Sequence, residues 1–124
     1  MRLTDPWFEA AFVGRVSPDG RSYYSAGFMK EGPAMPFADA QGLILWCPCG
    51  YGNRAYPIDG ARPHGLLVPF RDRGVPDGFG PLSRDGKTRP RWRIVGGDSL
   101  ETLTLEPSID AGCWHGHITN GEIK

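Results

Sequence analysis

Short apolar runs separated by turn signals occur along the N-terminal part of this chain and predict β-strands. Residues 7–16 are aromatic and β-branched, and the turn sequence Ser-Pro-Asp-Gly follows them at residues 17–20. Residues 21–28 are therefore expected to return as the second strand of a hairpin. Residues 41–46 form a short apolar strand that leads directly into Cys47.

The pattern of a half-buried sheet returns near the C-terminus. Residues 92–95 are expected to form a strand, and residues 100–105 alternate so that Leu103 and Leu105 share one face. Residues 113–123 contain an Asn-Gly turn signal and are expected to form a hairpin. Since no stretch has the 3.6-residue period of a helix, the chain is predicted to be mainly β.

Residues 59–91 break this pattern and predict a long irregular insertion. They hold six glycines and five prolines in 33 residues. Residues 62–93 also carry eight basic and three acidic side chains, whereas residues 94–124 carry one basic and five acidic. A basic segment of this kind either contacts phosphate or an acidic protein, or pairs with the acidic C-terminal third. We expect it to wrap over the domain or onto a partner.

Composition limits the class of protein. With 18 glycines and 12 prolines in 124 residues, a helical bundle is excluded, and 40% hydrophobic residues fit one globular domain with a modest core. No apolar run of 18 residues and no signal-peptide pattern occurs, so a soluble protein is expected. Three cysteines cannot all pair as disulfides, which favours a reducing cytosol.

The cysteines and two histidines form two compact groups that predict a zinc site. Cys47 and Cys49 flank a proline, and Cys113 is followed by His115 and His117. Two short turns that each supply two thiolate or imidazole ligands are typical of structural zinc sites. The alternatives are three thiols without a metal, or a strained Cys47–Cys49 disulfide.

Two histidines are candidates for the fourth ligand. His115 is nearer the Cys113 turn and would complete a Cys₃His site, with His117 as the alternate. His64 stands alone in the arginine-rich segment and is expected to be a surface residue. Ser108 has no histidine adjacent in sequence and is not predicted to be a nucleophile.

Several motifs resemble a family of small domains of unknown function from phages and mobile elements. The resemblance covers residues 43–123 and rests on the Cys-x-Cys-Gly turn at 47–50, the Leu-Glu-Pro-Ser-Ile strand end at 105–109, and the C-terminal Cys/His pair followed by Ile118 and a Gly turn. The chain departs from the family pattern in the basic insertion, at Tyr51, and in the close spacing of Cys113 and His115. The resemblance implies a zinc-stabilised β domain of phage origin with His115 as the ligand, and no reaction.

These observations predict a mainly β, small zinc-stapled antiparallel domain with a long irregular Arg/Gly/Pro-rich insertion. Residues 1–42 would form an N-terminal hairpin region, residues 43–58 and 92–124 the zinc-binding core, and residues 59–91 the basic loop. A Cys₃His site is normally closed, and none of the common catalytic motifs is present, so the chain is not expected to be an enzyme.

The expected function is that of a phage accessory or structural protein on an assembly such as a capsid or tail. It would act in the host cytoplasm or in the virion, without membrane contact. The alternatives are an inhibitor of a host defence component, a nucleic-acid-binding zinc module that uses the basic segment, and a zinc-dependent hydrolase. The residues expected to contact a partner are Arg71, Arg73, Arg89, Arg91, Trp7 and Phe8.

Overall fold

The computed structural model describes residues 1–26, 32–51 and 64–124. The predictions for residues 27–28 of the return strand and for residues 52–63 lie outside the described residues. Within these described ranges there are ten short strands: β1 Ala11–Gly14, β2 Tyr24–Ser25, β3 Gly42–Trp46, β4 Gly65–Pro69, β5 Arg93–Gly96, β6 Thr104–Glu106, β7 Ile109–Asp110, β8 His115–Gly116, β9 Ile118–Thr119 and β10 Glu122–Ile123. Single 3₁₀ turns lie at Pro6–Phe8, Phe37–Asp39 and Pro48–Gly50.

The largest sheet has four antiparallel strands in the order β2-β1-β3-β4. The predicted N-terminal hairpin and the 41–46 strand are thus confirmed, although β1 and β2 are shorter than expected. Residues 6–8 form a 3₁₀ turn instead of strand, because Pro6 fits the first helical position and the Asp5 carboxylate accepts a hydrogen bond from the Trp7 N–H at 2.9 Å.

Strand β4 lies inside the segment predicted to be an irregular loop, and that prediction is wrong for Gly65–Pro69. All five of its residues pair with β3. Leu66 and Val68 are buried on one face of the sheet, and the pairing to β3 supplies the order that the surrounding glycines and prolines do not. Pro69 ends β4, at the sheet edge where its missing N–H is tolerated.

Both faces of the four-stranded sheet are covered. Leu43 and Leu45 of β3 belong to the main core, whereas Ile44 faces the other way and packs in a second cluster with Val13 and Phe79. Val75 packs on this second cluster too. The segment between β4 and β5 is called the arm here. Its residues Val75 and Phe79 lie over the outer face of the sheet, in agreement with the expectation that the basic segment wraps over the domain.

The C-terminal third forms three two-stranded antiparallel ribbons, β5–β6, β7–β8 and β9–β10. Leu103 and Leu105 are buried as the alternation predicts, but residues 100–102 form a turn and the strand begins only at Thr104. The predicted Asn-Gly hairpin is confirmed between β9 and β10, where Asn120 and Gly121 have φ of 48° and 73°. In the described part of the chain, no helix is long and apolar enough to cross a membrane.

Candidate metal centre

The candidate metal centre begins at one end of the β3–β4 ladder. Trp46 pairs with Gly65 as the last register pair of the ladder. One residue further, the Cys47 N–H donates to the His64 carbonyl at 2.8 Å, so Cys47 and His64 face each other across the two strands. Directly opposite residues of an antiparallel pair have side chains on the same face, which brings the thiol and the imidazole together.

The Pro48–Gly50 turn brings a second thiol to this position. Cys47 precedes the turn as its N-terminal flanking residue, and the Gly50 N–H closes it by donating to the Cys47 carbonyl at 3.2 Å. Cys49 lies inside the turn and is exposed, whereas Cys47 is fully buried. A Cys-Pro-Cys sequence thus places one ligand in the core and one at the surface.

The third thiol comes from the loop that joins β7 to β8. Ala111 and Trp114 close this loop through a hydrogen bond of 2.8 Å from the Ala111 N–H to the Trp114 carbonyl. The Asp110 carboxylate accepts from the Gly112 N–H at 2.9 Å, and Gly112 adopts a positive φ of 83°. These contacts direct Cys113 towards the end of the β3–β4 ladder.

The four side chains form one compact group. The ligand atoms of Cys47, Cys49, His64 and Cys113 all lie within 4.8 Å of one another. The Sγ atoms of Cys47 and Cys113 are 3.5 Å apart, and His64 Nε2 lies 3.1 Å from Cys49 Sγ and 3.2 Å from Cys113 Sγ. Bond lengths for tetrahedral zinc imply separations of about 3.8 Å between two sulfurs and about 3.6 Å between sulfur and nitrogen. The group therefore fits a zinc site.

The His64 ring is oriented for metal binding through Nε2. Its Nδ1 lies 3.4 Å from the Gly65 carbonyl. A hydrogen on Nδ1 directed at that carbonyl leaves the Nε2 lone pair facing the thiols. A backbone carbonyl in this position is a common way to fix the tautomer of a metal-ligating histidine.

Local environment gives the thiols different proton affinities. Burial raises the pKa of Cys47 to about 12, and it raises the pKa of Cys49 as well. For Cys113, hydrogen bonds with Cys49, His64 and Cys47 outweigh the effect of burial and lower the pKa. A divalent cation would stabilise all three thiolates, because its charge compensates for their crowding and for the burial of Cys47.

The structure brings the three predicted cysteines together, but with a different histidine. His115 Nε2 lies 2.9 Å from Ser108 Oγ, and His115 is not in the four-residue group. His117 is exposed and is also outside it. The structure therefore does not place His115, or His117 as its alternate, in the group, and the fourth position is taken by His64 instead. In chain order, the candidate ligands are Cys47, Cys49, His64 and Cys113.

His64 is exposed, as expected of a surface residue, and its isolated position in the arginine-rich segment gives no local sign that it joins the cysteines. Its sequence signal is the apolar run that follows it at residues 66–68, which can form a strand antiparallel to 42–46. A hairpin between these two runs places the residue before the second strand opposite the residue after the first.

Most of the residues predicted to contact a partner are occupied within the chain. Phe8 is fully buried in the main core, and Trp7 packs against it with ring centroids 5.2 Å apart. Arg73 donates to backbone carbonyls of Phe37, Ala38 and Ala40 at 2.9 to 3.3 Å, Arg89 donates to that of Gly80, and Arg91 to that of Pro76. Of the predicted set, only the Arg71 side chain is exposed. The prediction for Phe8 is wrong, because the residue belongs to the core.

Other basic residues pair with the acidic C-terminal third. Arg84 lies 3.2 Å from the Asp110 carboxylate, and Arg93 pairs with Glu106 across β5 and β6. These pairs agree with the interpretation that the basic segment pairs with the acidic C-terminal third.

Comparisons of the chain with protein-family models, with curated proteins and with solved structures found no match.

Proposed function

We propose that this chain is a zinc-stabilised protein-interaction module in which the metal is structural and takes no part in a reaction. The observation that carries the proposal is the group of three thiols and one imidazole within 4.8 Å. Four protein ligands complete a tetrahedron and leave no position for water or substrate, which is the arrangement of structural zinc sites. Bound zinc would polarise its ligands and hold their thiolate forms.

The position of the four ligands supports a structural role. They come from the β3–β4 ladder, the Pro48–Gly50 turn and the β7–β8 loop. The ligands Cys47 and Cys113 are separated by 66 positions in sequence. A metal at this point joins the four-stranded sheet to the C-terminal ribbons, and its binding energy becomes folding energy for a domain of modest core.

The interaction role rests on what the described surface presents. Leu82 is 49% exposed, and Val95 on β5 is 44% exposed. Both apolar side chains, and the exposed Arg71, are available for contact with a protein partner. The resemblance to phage domains favours a virion assembly as that partner, in the host cytoplasm or in the particle.

The proposal is tested by metal content and solution mass, measured on the same purified sample. Elemental analysis should give one zinc per chain, and light scattering should give a mass that rises with concentration or corresponds to a defined oligomer. Leu82→Ser should weaken that association. The matched change Leu67→Ser, at a residue that packs on the cluster of Val13, Ile44 and Phe79, should lower the stability of the fold instead. A metal-free folded protein would contradict the structural role, and a strict monomer at all concentrations would contradict association with further copies of this chain in such an assembly.

A further inference from the structure

His115 on β8 lies side by side with Ser108, the residue that precedes β7, next to a cavity. His115 Nε2 is 2.9 Å from Ser108 Oγ. Asp110 and His115 form a register pair of the ribbon, so they are directly opposite each other. Ser108 precedes Asp110 by two residues, and period-two alternation places the two side chains on the same face. The ribbon therefore gathers a hydroxyl, an imidazole and a carboxylate.

The cavity beside Ser108 has a volume of about 500 Å³. Its walls are mainly apolar and include Leu66, Trp92 and Ile109, which are largely buried. Ser108, Arg84 and Asp110 lie in the same lining. An apolar cavity with a few convergent polar groups at one side is the usual form of a small-molecule site.

The backbone around Ser108 is held in place. The Trp92 indole N–H donates to the Ser108 carbonyl at 3.3 Å. Asp110 accepts from the Gly112 N–H at 2.9 Å and lies 3.2 Å from Arg84. The serine, the histidine and the carboxylate are thus set by the ribbon and by Trp92, and Arg84 adds a cation at the side of the cavity.

We propose that Ser108 is a nucleophile, with His115 as its general base, in a site that accepts small esters with an apolar acyl group. This goes beyond the proposed structural role of the metal, and it revises the expectation that the chain is not an enzyme. A serine hydroxyl within hydrogen-bond distance of an imidazole is the pairing that activates serine for acyl transfer, and the Asp110 carboxylate lies directly opposite that imidazole on the ribbon. The apolar cavity walls fit the acyl chain.

The reaction balances without a further cofactor. Ser108 Oγ bonds to the acyl carbon while its proton passes to His115 Nε2, and the ester's alkoxide leaves with that proton as an alcohol. Water then attacks the acyl-serine ester and gives a proton to His115, which returns it to Ser108 Oγ as the carboxylic acid is released. Arg84 can face the negative charge that develops on the carbonyl oxygen.

The test uses the zinc-loaded full chain with a fluorophosphonate probe and with 4-nitrophenyl butyrate. We expect one phosphonyl adduct per chain, mapped by tandem mass spectrometry to Ser108, and ester hydrolysis that the adduct abolishes. Ser108→Ala should remove both. His115→Gln should slow labelling by about 100-fold or more, within the range for loss of general base catalysis.

The matched control is Ser17→Ala, since the Ser17 hydroxyl likewise donates to an aspartate, Asp19, at 2.5 Å, and Ser17 is not among the residues that line the cavity. It should label and hydrolyse like the unchanged protein. An absence of adduct in folded, zinc-loaded protein would overturn the proposal, as would an adduct on another residue that persists in Ser108→Ala. Mapping of the adduct in the unchanged chain does not depend on how the variants fold. Zinc content, measured separately, distinguishes failure of this site from failure of the metal site.

Discussion

Cys47 and His64 lie opposite each other at the end of the β3–β4 ladder, joined by a hydrogen bond of 2.8 Å from the Cys47 N–H to the His64 carbonyl. The pairing that builds the sheet thus also places two of the four residues of the candidate metal centre. Cys49 and Cys113 complete it from a turn and from a hairpin loop. Loss of the ladder and loss of the metal should therefore be coupled.

Substitution of His64 and of His117, one at a time, distinguishes the proposed ligand from a histidine outside the group. His64→Asn should lower the zinc content from one per chain to a small fraction and lower the melting temperature, because it removes one of four ligands. His117→Asn is the matched control and should keep full zinc, since His117 lies outside the group. Elemental analysis after dialysis checks both. Full zinc in His64→Asn together with loss in His117→Asn would contradict the assignment.

Removal of the metal should destabilise the fold reversibly. A ligand that binds only the folded state contributes about 4 kcal/mol when its free concentration is about 1,000 times its dissociation constant. Thermal unfolding in excess chelator should therefore show a markedly lower midpoint, which added zinc restores. Magnesium, which prefers oxygen ligands, serves as the control and should restore nothing. An unchanged midpoint in chelator, with zinc shown to be gone, would argue against a structural metal.

Arg73 is expected to stabilise the fold and not to bind a partner. Its guanidinium donates to the carbonyls of Phe37, Ala38 and Ala40 and lies 4.8 Å from the centre of the Phe37 ring. Arg73→Ala should lower the free energy of unfolding by about 1–3 kcal/mol, the range for a lost charged hydrogen-bond donor. Arg71→Ala, at an exposed side chain, should change it by less than about 0.5 kcal/mol. Denaturant unfolding of the two variants checks the contrast, and equal effects would contradict it.

The stability of the fold should decrease in acid as Asp85 binds a proton. Hydrogen bonds from the Ser83 hydroxyl, and from the Thr88 and Lys87 backbone N–H groups, hold the pKa of this carboxyl well below its usual range. A carboxyl with a lowered folded-state pKa stabilises the fold above the unfolded value of about 3.9, and this contribution is lost as the pH falls further.

The stability of the unchanged protein should accordingly exceed that of Asp85→Asn at pH 6, and the difference should shrink below about pH 4, where the unfolded carboxyl begins to bind its proton. Denaturant unfolding at several pH values, with zinc in excess, measures the difference. A difference that grows as the pH falls would contradict the sign.

Local patterns were sufficient to predict part of this fold. The apolar run 41–46, the Leu103 and Leu105 alternation and the Asn-Gly turn each carry their signal within a few residues. The three cysteines can be predicted as candidate metal ligands in the same way, because their spacing and residue type are local properties.

The rest depends on pairings between distant segments. Strand β4 is surrounded by glycine and proline, and only its register with β3 shows why it is ordered. His64 joins the cysteines through that register, and His115 meets Ser108 through the β7–β8 ribbon. A single sequence does not display such pairings, so it points to a histidine outside the group of cysteines and gives Ser108 no partner.

X-ray absorption at the zinc edge of the purified chain would observe a metal centre of three thiolates and one imidazole directly. We expect one zinc per chain with about three sulfurs at about 2.3 Å and one nitrogen at about 2.0–2.1 Å. A folded chain that retains no zinc, or a shell made mainly of nitrogen and oxygen, would contradict it.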